Sequence, residues 1–156
     1  YNICISVFIS RKGGKLFREI REARSLCYYA SSGIDDVKGL LYVHSGIDKA
    51  NYDAAVESIM DELSKIGRGE ISPDELAAAQ RYCAQALRLV PDDPVELMMH
   101  YLKMNIIGAD ISPEELAAAC EGVTAGEVAG IARGTECDAI YFLSGEDADG
   151  EEAAGE

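Results

Sequence analysis

The feature that most constrains this chain is a helix-start signal that recurs along its second half. Ser72-Pro73-Asp74-Glu75 and Ser112-Pro113-Glu114-Glu115 each place a serine before a proline, and a glutamate three residues after that serine. In such a capping box the two side chains accept hydrogen bonds from backbone N–H groups that would otherwise be unpaired. Asp93-Pro94-Val95-Glu96 and Thr124-Ala125-Gly126-Glu127 carry versions of the same signal. The sequence therefore predicts a helix at each of these four points.

One further helix is predicted immediately before these four. Five residues with large, mainly apolar side chains follow one another at steps of four and three, which places them on one face of a helix. They are Tyr52, Val56, Ile59, Leu63 and Ile66. Gly67 comes next and is the residue type that commonly ends a helix, so the helix is expected to stop there.

The first part of the chain is predicted to be mainly β-structure. Ile3–Ile9 is a nearly all-apolar run typical of a buried strand, and residues 15–24 have the apolar spacing of a short helix. Cys27–Ser32 and Leu40–Ser45 are predicted to pair as a hairpin, and Ala139–Ser144 is predicted to be the last strand. The order strand, helix, two strands, helices, strand favours a two-layer α+β fold in which helices cover one face of a β-sheet.

Length and composition fit one domain followed by a short tail. A chain of 156 residues with 48% hydrophobic residues can bury a single core. We expect that domain to span residues 1–144 and residues 145–156, rich in aspartate and glutamate, to be an acidic disordered tail. The chain begins inside an apolar run and without methionine, which suggests a piece of a longer protein.

The net charge and the cysteines bear on partners and location. A formal charge of −14 repels phosphate backbones and anionic lipid, so neither nucleic acid nor a membrane is expected as a partner. The five cysteines are widely spaced and odd in number, which predicts reduced, buried side chains rather than a disulfide framework. The protein is therefore predicted to be cytoplasmic.

The sequence offers no metal or nucleophile site. A hydrolytic zinc site needs two imidazoles and a carboxylate that converge on the metal, whereas His44 and His100 stand in different predicted elements without such spacing. Both histidines are interpreted as structural. No cofactor and no catalytic residue are expected in this chain, which should not be active by itself.

The segment from Gly13 to Ser32 carries a more specific pattern. A Gly-Gly turn leads into Leu16-Phe17, an Arg-Glu pair follows, and a Leu-x-Tyr strand begins at Leu26. In order and spacing this resembles the carboxyl-terminal domains of the pitrilysin/insulinase family of zinc peptidases, most of all the metal-less subunits of bacterial paired peptidases. The likeness continues through Lys38-Gly39-Leu40-Leu41 and the predicted helices, over nearly all of residues 1–144.

The resemblance implies two substrate-binding residues. In that family an arginine and a tyrosine seven residues later contact the bound peptide opposite the zinc, and the matching positions here are Arg21 and Tyr28. Arginine can donate to a substrate carbonyl, and a tyrosine hydroxyl can donate to the oxyanion that forms during hydrolysis. Tyr29, expected on the opposite strand face, is assigned to packing. Without the resemblance, Arg21 would be an exposed helical residue and Tyr28 a half-buried strand residue.

The resemblance also implies partners and leaves alternatives. Zinc is expected in a homologous zinc-bearing domain of the same polypeptide or in a separate subunit, and a peptide is the expected substrate. Family members usually carry more residues between the first strand and the Leu-Phe helix, which leaves open whether residues are missing near Gly13. One alternative is a structural scaffold of the same fold. Another is an unrelated α+β ligand-binding domain.

Overall fold

The structure, a computed structural model, describes residues 27–35 and 37–144. This part of the chain forms an antiparallel hairpin followed by five α-helices. The elements are β1 (Cys27–Asp35), β2 (Leu40–Ile47), α1 (Tyr52–Gly67), α2 (Pro73–Leu89), α3 (Pro94–Ile106), α4 (Pro113–Glu121) and α5 (Ala125–Arg133), with 3₁₀ turns at Lys49–Asn51 and Val90–Asp92. The strand predicted at 3–9, the helix at 15–24 and the acidic tail at 145–156 lie outside the described residues.

The predicted hairpin is confirmed. β1 and β2 are antiparallel, with Asp35 opposite Leu40 at the end that carries the turn. The Asp35 carboxylate accepts hydrogen bonds from the backbone N–H groups of Val37 and Lys38, at 3.1 and 3.0 Å. Gly39 completes the turn with a φ of 67°, a conformation that glycine adopts without steric cost. The Asp35 side chain and Gly39 together determine where the chain reverses.

All four predicted helix starts are confirmed. The Ser72 hydroxyl accepts from the Glu75 N–H at 3.2 Å, and the Glu75 carboxylate accepts from the Ser72 N–H at 2.9 Å. The same reciprocal pairing occurs between Ser112 and Glu115 at the start of α4, where the hydroxyl and N–H of Ser112 lower the pKa of the Glu115 carboxyl. The two remaining caps are a capping box at Thr124 with Glu127, and Asp93 accepting from the N–H groups of Val95 and Glu96.

The predicted stop at Gly67 is confirmed, because α1 ends at this residue, but Gly67 is not the residue that reverses the chain. Gly67 is the last residue of α1 and is buried against α5, where a Cβ in its place would lie 3.3 Å from Arg133 Cγ. The Gly67 carbonyl accepts a hydrogen bond from Arg133 Nη1 at 2.8 Å. Gly69, with a φ of 82°, is the residue that reverses the chain, and its N–H bonds to the Ile66 carbonyl. Gly67 therefore allows close helix packing, and Gly69 forms the left-handed cap.

The core lies between the hairpin and the helices and consists largely of small side chains. Its fully buried members come from all helices except α3 and include Ile66, Ala84, Ala117 and Val128. One face of the hairpin packs on this cluster through Cys27, Ile34, Leu41 and Val43. Leu41 and Val43 stand two residues apart on β2, and Ile34 pairs with Leu41 across the strands, so these three lie on one face of the sheet. The predicted α+β architecture, with helices on one face of the sheet, is confirmed.

The strand predicted at Ala139–Ser144 is wrong. Residues 135–144 adopt neither helix nor strand. A strand exists only through hydrogen bonds to a neighbour, and among the described residues β1 and β2 pair with each other. The segment is instead held by its side chains, because the Phe142 ring contacts the Tyr52 ring at 4.6 Å between centroids.

The cysteines follow the prediction only in part. Cys83 and Cys120 are free thiols buried in the core, and Cys27 is a half-buried free thiol. Cys137 is also free but is exposed, because it lies in the irregular segment after α5. The expectation that the cysteines are buried is therefore wrong for Cys137, and Cys4 lies outside the described residues.

We predict that Gly69→Ala lowers the free energy of unfolding by about 1 kcal/mol, because alanine is strained in the left-handed conformation. No other group lies within 4 Å of a Cβ at this position, so the loss reports backbone strain alone. Gly122→Ala is the control: Gly122 follows α4 with a φ of −89°, which alanine adopts freely. Urea unfolding of both variants measures the difference, and equal stabilities would contradict the assignment of Gly69 as the cap.

Candidate functional site

Tyr28 lies at an irregularity in the hairpin. Cys27 pairs with Ile47 and Tyr29 pairs with Gly46, so β1 advances by two residues while β2 advances by one. Tyr28 is therefore the additional residue of a β-bulge. Bulges interrupt the alternation of side chains and redirect them, and they are frequent at functional sites. The bulge here leaves two consecutive tyrosines, Tyr28 and Tyr29, more than half exposed.

The Tyr28 hydroxyl has a specific partner. Its side chain is 69% exposed, and its hydroxyl donates a hydrogen bond to Asp48 Oδ1 at 2.9 Å. Asp48 directly follows β2 and occupies the N-cap position of the 3₁₀ turn, but its side chain forms no capping bond there. The hydrogen bond to the carboxylate, reinforced by its negative charge, raises the pKa of Tyr28. The carboxylate thus disfavours the phenolate form of Tyr28.

Tyr29 packs on the opposite strand. A Cβ at Gly46 would collide with the Tyr29 ring, so the ring lies directly over the backbone of β2. This contact agrees with the packing role expected for Tyr29. The reason given for that role, simple alternation after Tyr28, does not hold, because the bulge falls between Cys27 and Tyr29.

A second aromatic residue lies over a glycine on the same hairpin. The Tyr42 ring covers Gly33, its partner across the strands, as Tyr29 covers Gly46. Tyr42 also contacts His44 in an edge-to-face arrangement, with 5.1 Å between ring centroids. Tyr42 and His44 stand two residues apart on β2 and therefore share one face of the strand, so His44 belongs to the same packed aromatic surface as Tyr42.

Sequence reasoning named Tyr28 as a candidate substrate-binding residue but did not name Asp48, its hydrogen-bond partner. The two residues stand 20 positions apart and meet only because β1 and β2 pair at their open end. The alternation of Tyr42 and His44 along β2 was a usable signal for the aromatic surface, whereas nothing local marks Asp48. Arg21, the other predicted site residue, lies outside the described residues, so its place relative to Tyr28 stays a prediction.

The described residues contain no candidate metal centre. No group of three histidine, cysteine, aspartate or glutamate side chains in 27–35 and 37–144 is arranged to hold a metal ion. His100 is buried in α3, and its Nε2 forms a hydrogen bond with the Ile111 carbonyl at 2.8 Å. This contact ties α3 to the segment before α4 and agrees with a structural role. No helix in the described part of the chain is long and apolar enough to cross a bilayer.

Comparison with known families shows which protein family this chain belongs to. A family model described as the peptidase M16 inactive domain matches residues 4–83, just over half of the chain. The chain belongs to this family. The match confirms the pitrilysin/insulinase resemblance and excludes an unrelated α+β ligand-binding domain. The family model is described as an inactive domain, and the part of the chain that the structure describes has no group of side chains arranged to hold a metal ion.

Two individual proteins are similar over most of this chain. The probable inactive metalloprotease YmfF of Bacillus subtilis (strain 168) is 30% identical over 145 residues, which are 90% of this chain and 34% of YmfF. The crystal structure of a conserved protein from Enterococcus faecalis V583 matches with a TM-score of 0.75 and 30% identity, over 84% of this chain and 31% of that one. The chain thus spans about a third of each relative. Its fold is shared with the Enterococcus faecalis protein, which is much longer.

We predict that Asp48→Asn lowers the pKa of Tyr28 toward its ordinary value, because the neutral amide no longer opposes formation of the phenolate. Ultraviolet titration at alkaline pH follows the ionisation of the tyrosines. One tyrosine should titrate at lower pH in Asp48→Asn than in the wild type. The difference should vanish when both proteins also carry Tyr28→Phe, and its persistence there would assign the shift to another tyrosine.

Proposed function

We propose that this chain is the substrate-binding, zinc-free half of a pitrilysin-type peptidase and completes peptide hydrolysis together with a homologous zinc-bearing domain or subunit. The observation that carries the proposal is the exposed Tyr28 at the β-bulge of a domain whose family is described as inactive. The metal and the attacking water belong to the partner. Tyr28 and Arg21 contribute contacts to the peptide.

The geometry around Tyr28 supports a binding role over a packing role. A strand tyrosine that serves the core would bury its ring, whereas Tyr28 is among the most exposed large side chains of the described residues. The bulge directs it away from the core, and Asp48 holds its hydroxyl at a defined position. A rigid aromatic side chain with a fixed polar tip is well suited to contact a peptide.

The surface of α3 supports the proposed partner. Five apolar side chains of this helix are at least half exposed and fall within an arc of about 100° at the spacing of an α-helix. This α3 stripe consists of Val95, Met98, Met99, Leu102 and Ile106. Buried His100 and Met104 lie on the other side of the helix. An apolar stripe on a solvent face is typical of an interaction surface.

The occupant that we propose for the α3 stripe is the remainder of the longer protein. YmfF and the Enterococcus faecalis protein each have about two thirds of their length beyond the region matched here. A homologous domain of such a protein can cover the stripe, whether it belongs to the same polypeptide or to a second subunit. The methionines of the stripe adapt easily to an apolar partner surface.

Substitution of Tyr28 tests the function. In a complex reconstituted with a zinc-bearing partner, Tyr28→Phe should lower kcat/KM by about tenfold to a hundredfold, because a polar contact with the peptide is lost. Tyr29→Phe is the control, since its ring and its contact with Gly46 remain. If Tyr28→Phe retains full activity in an active complex, the domain is a structural scaffold and Tyr28 is no substrate contact.

Substitution in the α3 stripe tests the partner. Leu102→Glu should weaken association with the zinc-bearing half by about tenfold or more, because a charge would be buried in an apolar interface. Tyr82→Glu on α2 is the matched control, because it places the same charge at a side chain of similar exposure: Tyr82 is 52% exposed and Leu102 is 50% exposed. Analytical ultracentrifugation of the mixed halves measures both. The α3 stripe would be excluded as the contact if both substitutions weakened association equally, or if neither substitution weakened it.

A further inference from the structure

The direction of the hydrogen bond between Tyr28 and Asp48 limits what this site can bind. A tyrosine hydroxyl carries one proton, and here that proton is donated to Asp48 Oδ1 at 2.9 Å. The phenolic oxygen is left with lone pairs, so in this arrangement Tyr28 accepts hydrogen bonds. A peptide oxygen, or an oxyanion, would first have to displace the carboxylate from the hydroxyl.

Asp48 itself has binding capacity that the fold does not use. Although Asp48 stands at the N-cap of the 3₁₀ turn, its side chain makes no capping bond to the turn, and its hydrogen bond with Tyr28 uses Oδ1. Within the described residues it forms no ion pair with a lysine or arginine. The carboxylate is exposed, so its second oxygen is accessible to a ligand.

We propose that Tyr28 and Asp48 together form a subsite for a positively charged group of the peptide substrate, an ammonium or a guanidinium. This deepens the proposed function and rests on it. The phenolic oxygen and the second carboxylate oxygen offer two neighbouring acceptors and one full negative charge. Ammonium and guanidinium groups carry several N–H donors and no acceptor, which matches that set.

Two further properties of the chain agree with a cationic ligand. The net charge of −14 attracts cations at long range and raises their concentration near the surface. The Tyr28 ring is exposed beside the carboxylate, and an aromatic face next to a negative charge adds to the attraction for a cation. Because the site faces solvent, the expected selectivity is modest, about fivefold in affinity.

The raised pKa of Tyr28 supports the same assignment. The Asp48 carboxylate accepts the hydroxyl proton of Tyr28 in a hydrogen bond, and this bond with its negative charge raises the pKa of Tyr28. Asp48→Asn retains an oxygen that can accept from the hydroxyl but removes the charge. The amide of asparagine can also rotate and donate to the phenolic oxygen, which frees the hydroxyl proton. The substitution therefore changes the chemistry of the subsite without changing its size.

The test compares three fluorescent decapeptides of alanine and glycine that differ at one central position, which is lysine, glutamine or glutamate. Fluorescence anisotropy with the full chain measures their affinities at low salt. The wild type should bind the lysine peptide about fivefold more tightly than the glutamine peptide, and the glutamate peptide least. Asp48→Asn should remove the preference for lysine. Asp53→Asn, which removes the same charge from an exposed position in the first turn of α1, should keep it.

Each outcome separates this subsite from the proposed function. If none of the peptides binds, the substrate-binding function is overturned. If Tyr28→Phe weakens binding of all three peptides but the wild type shows no preference for lysine, the function is supported and the cationic subsite is overturned. Equal loss of preference in Asp48→Asn and Asp53→Asn would attribute it to net charge and would also overturn the subsite.

Discussion

The described structure depends on the close approach of helices through small side chains. α2 and α4 contribute buried alanines and cysteines to one cluster, among them Cys83, Ala84, Ala117 and Cys120. Small side chains let two helices lie near one another, so dispersion contacts are dense although each residue is small. At Gly67 the absence of a side chain has the same effect, because α1 there meets Arg133 of α5. The inner face of the hairpin packs on this helical layer.

The placement of Tyr28 follows from that packing. Cys27, the first residue of β1, contacts the core, and the bulge begins immediately after it. The hairpin is thus anchored beside the site, while Tyr28 itself turns to solvent. Asp48 follows the paired end of β2 and reaches the Tyr28 hydroxyl across that end. The site is therefore built from secondary structure that the core holds in place. Within the described part of the chain, the side-chain oxygens of Tyr28 and Asp48 bond to each other and form no capping bond to the turn.

Membership in a family of inactive peptidase domains limits the roles that this arrangement can have in hydrolysis. A domain without metal ligands can contribute to hydrolysis only by binding or positioning the substrate, or by supporting the domain that carries the metal. Tyr28 with Asp48 suits the first role and the α3 stripe suits the second. The two features lie on different elements, so the proposed substrate contact and the proposed partner contact can be altered independently. The length of the relatives, about three times that of this chain, is consistent with a larger assembly.

The sequence by itself determined the elements whose signals are local. Helix starts such as Ser72 and Thr124 were readable because the cap and its partner are three residues apart, and the hairpin was readable from its strand pattern. Tertiary structure decided the rest. Gly69 rather than Gly67 reverses the chain after α1, since Arg133 from a distant helix occupies the space beside Gly67. Asp48 became the partner of Tyr28 through strand pairing across 20 residues. The apolar residues 139–144 were also predicted from local pattern alone, and they form no strand. Residues with high strand propensity form a strand only where a neighbouring strand can bond to them.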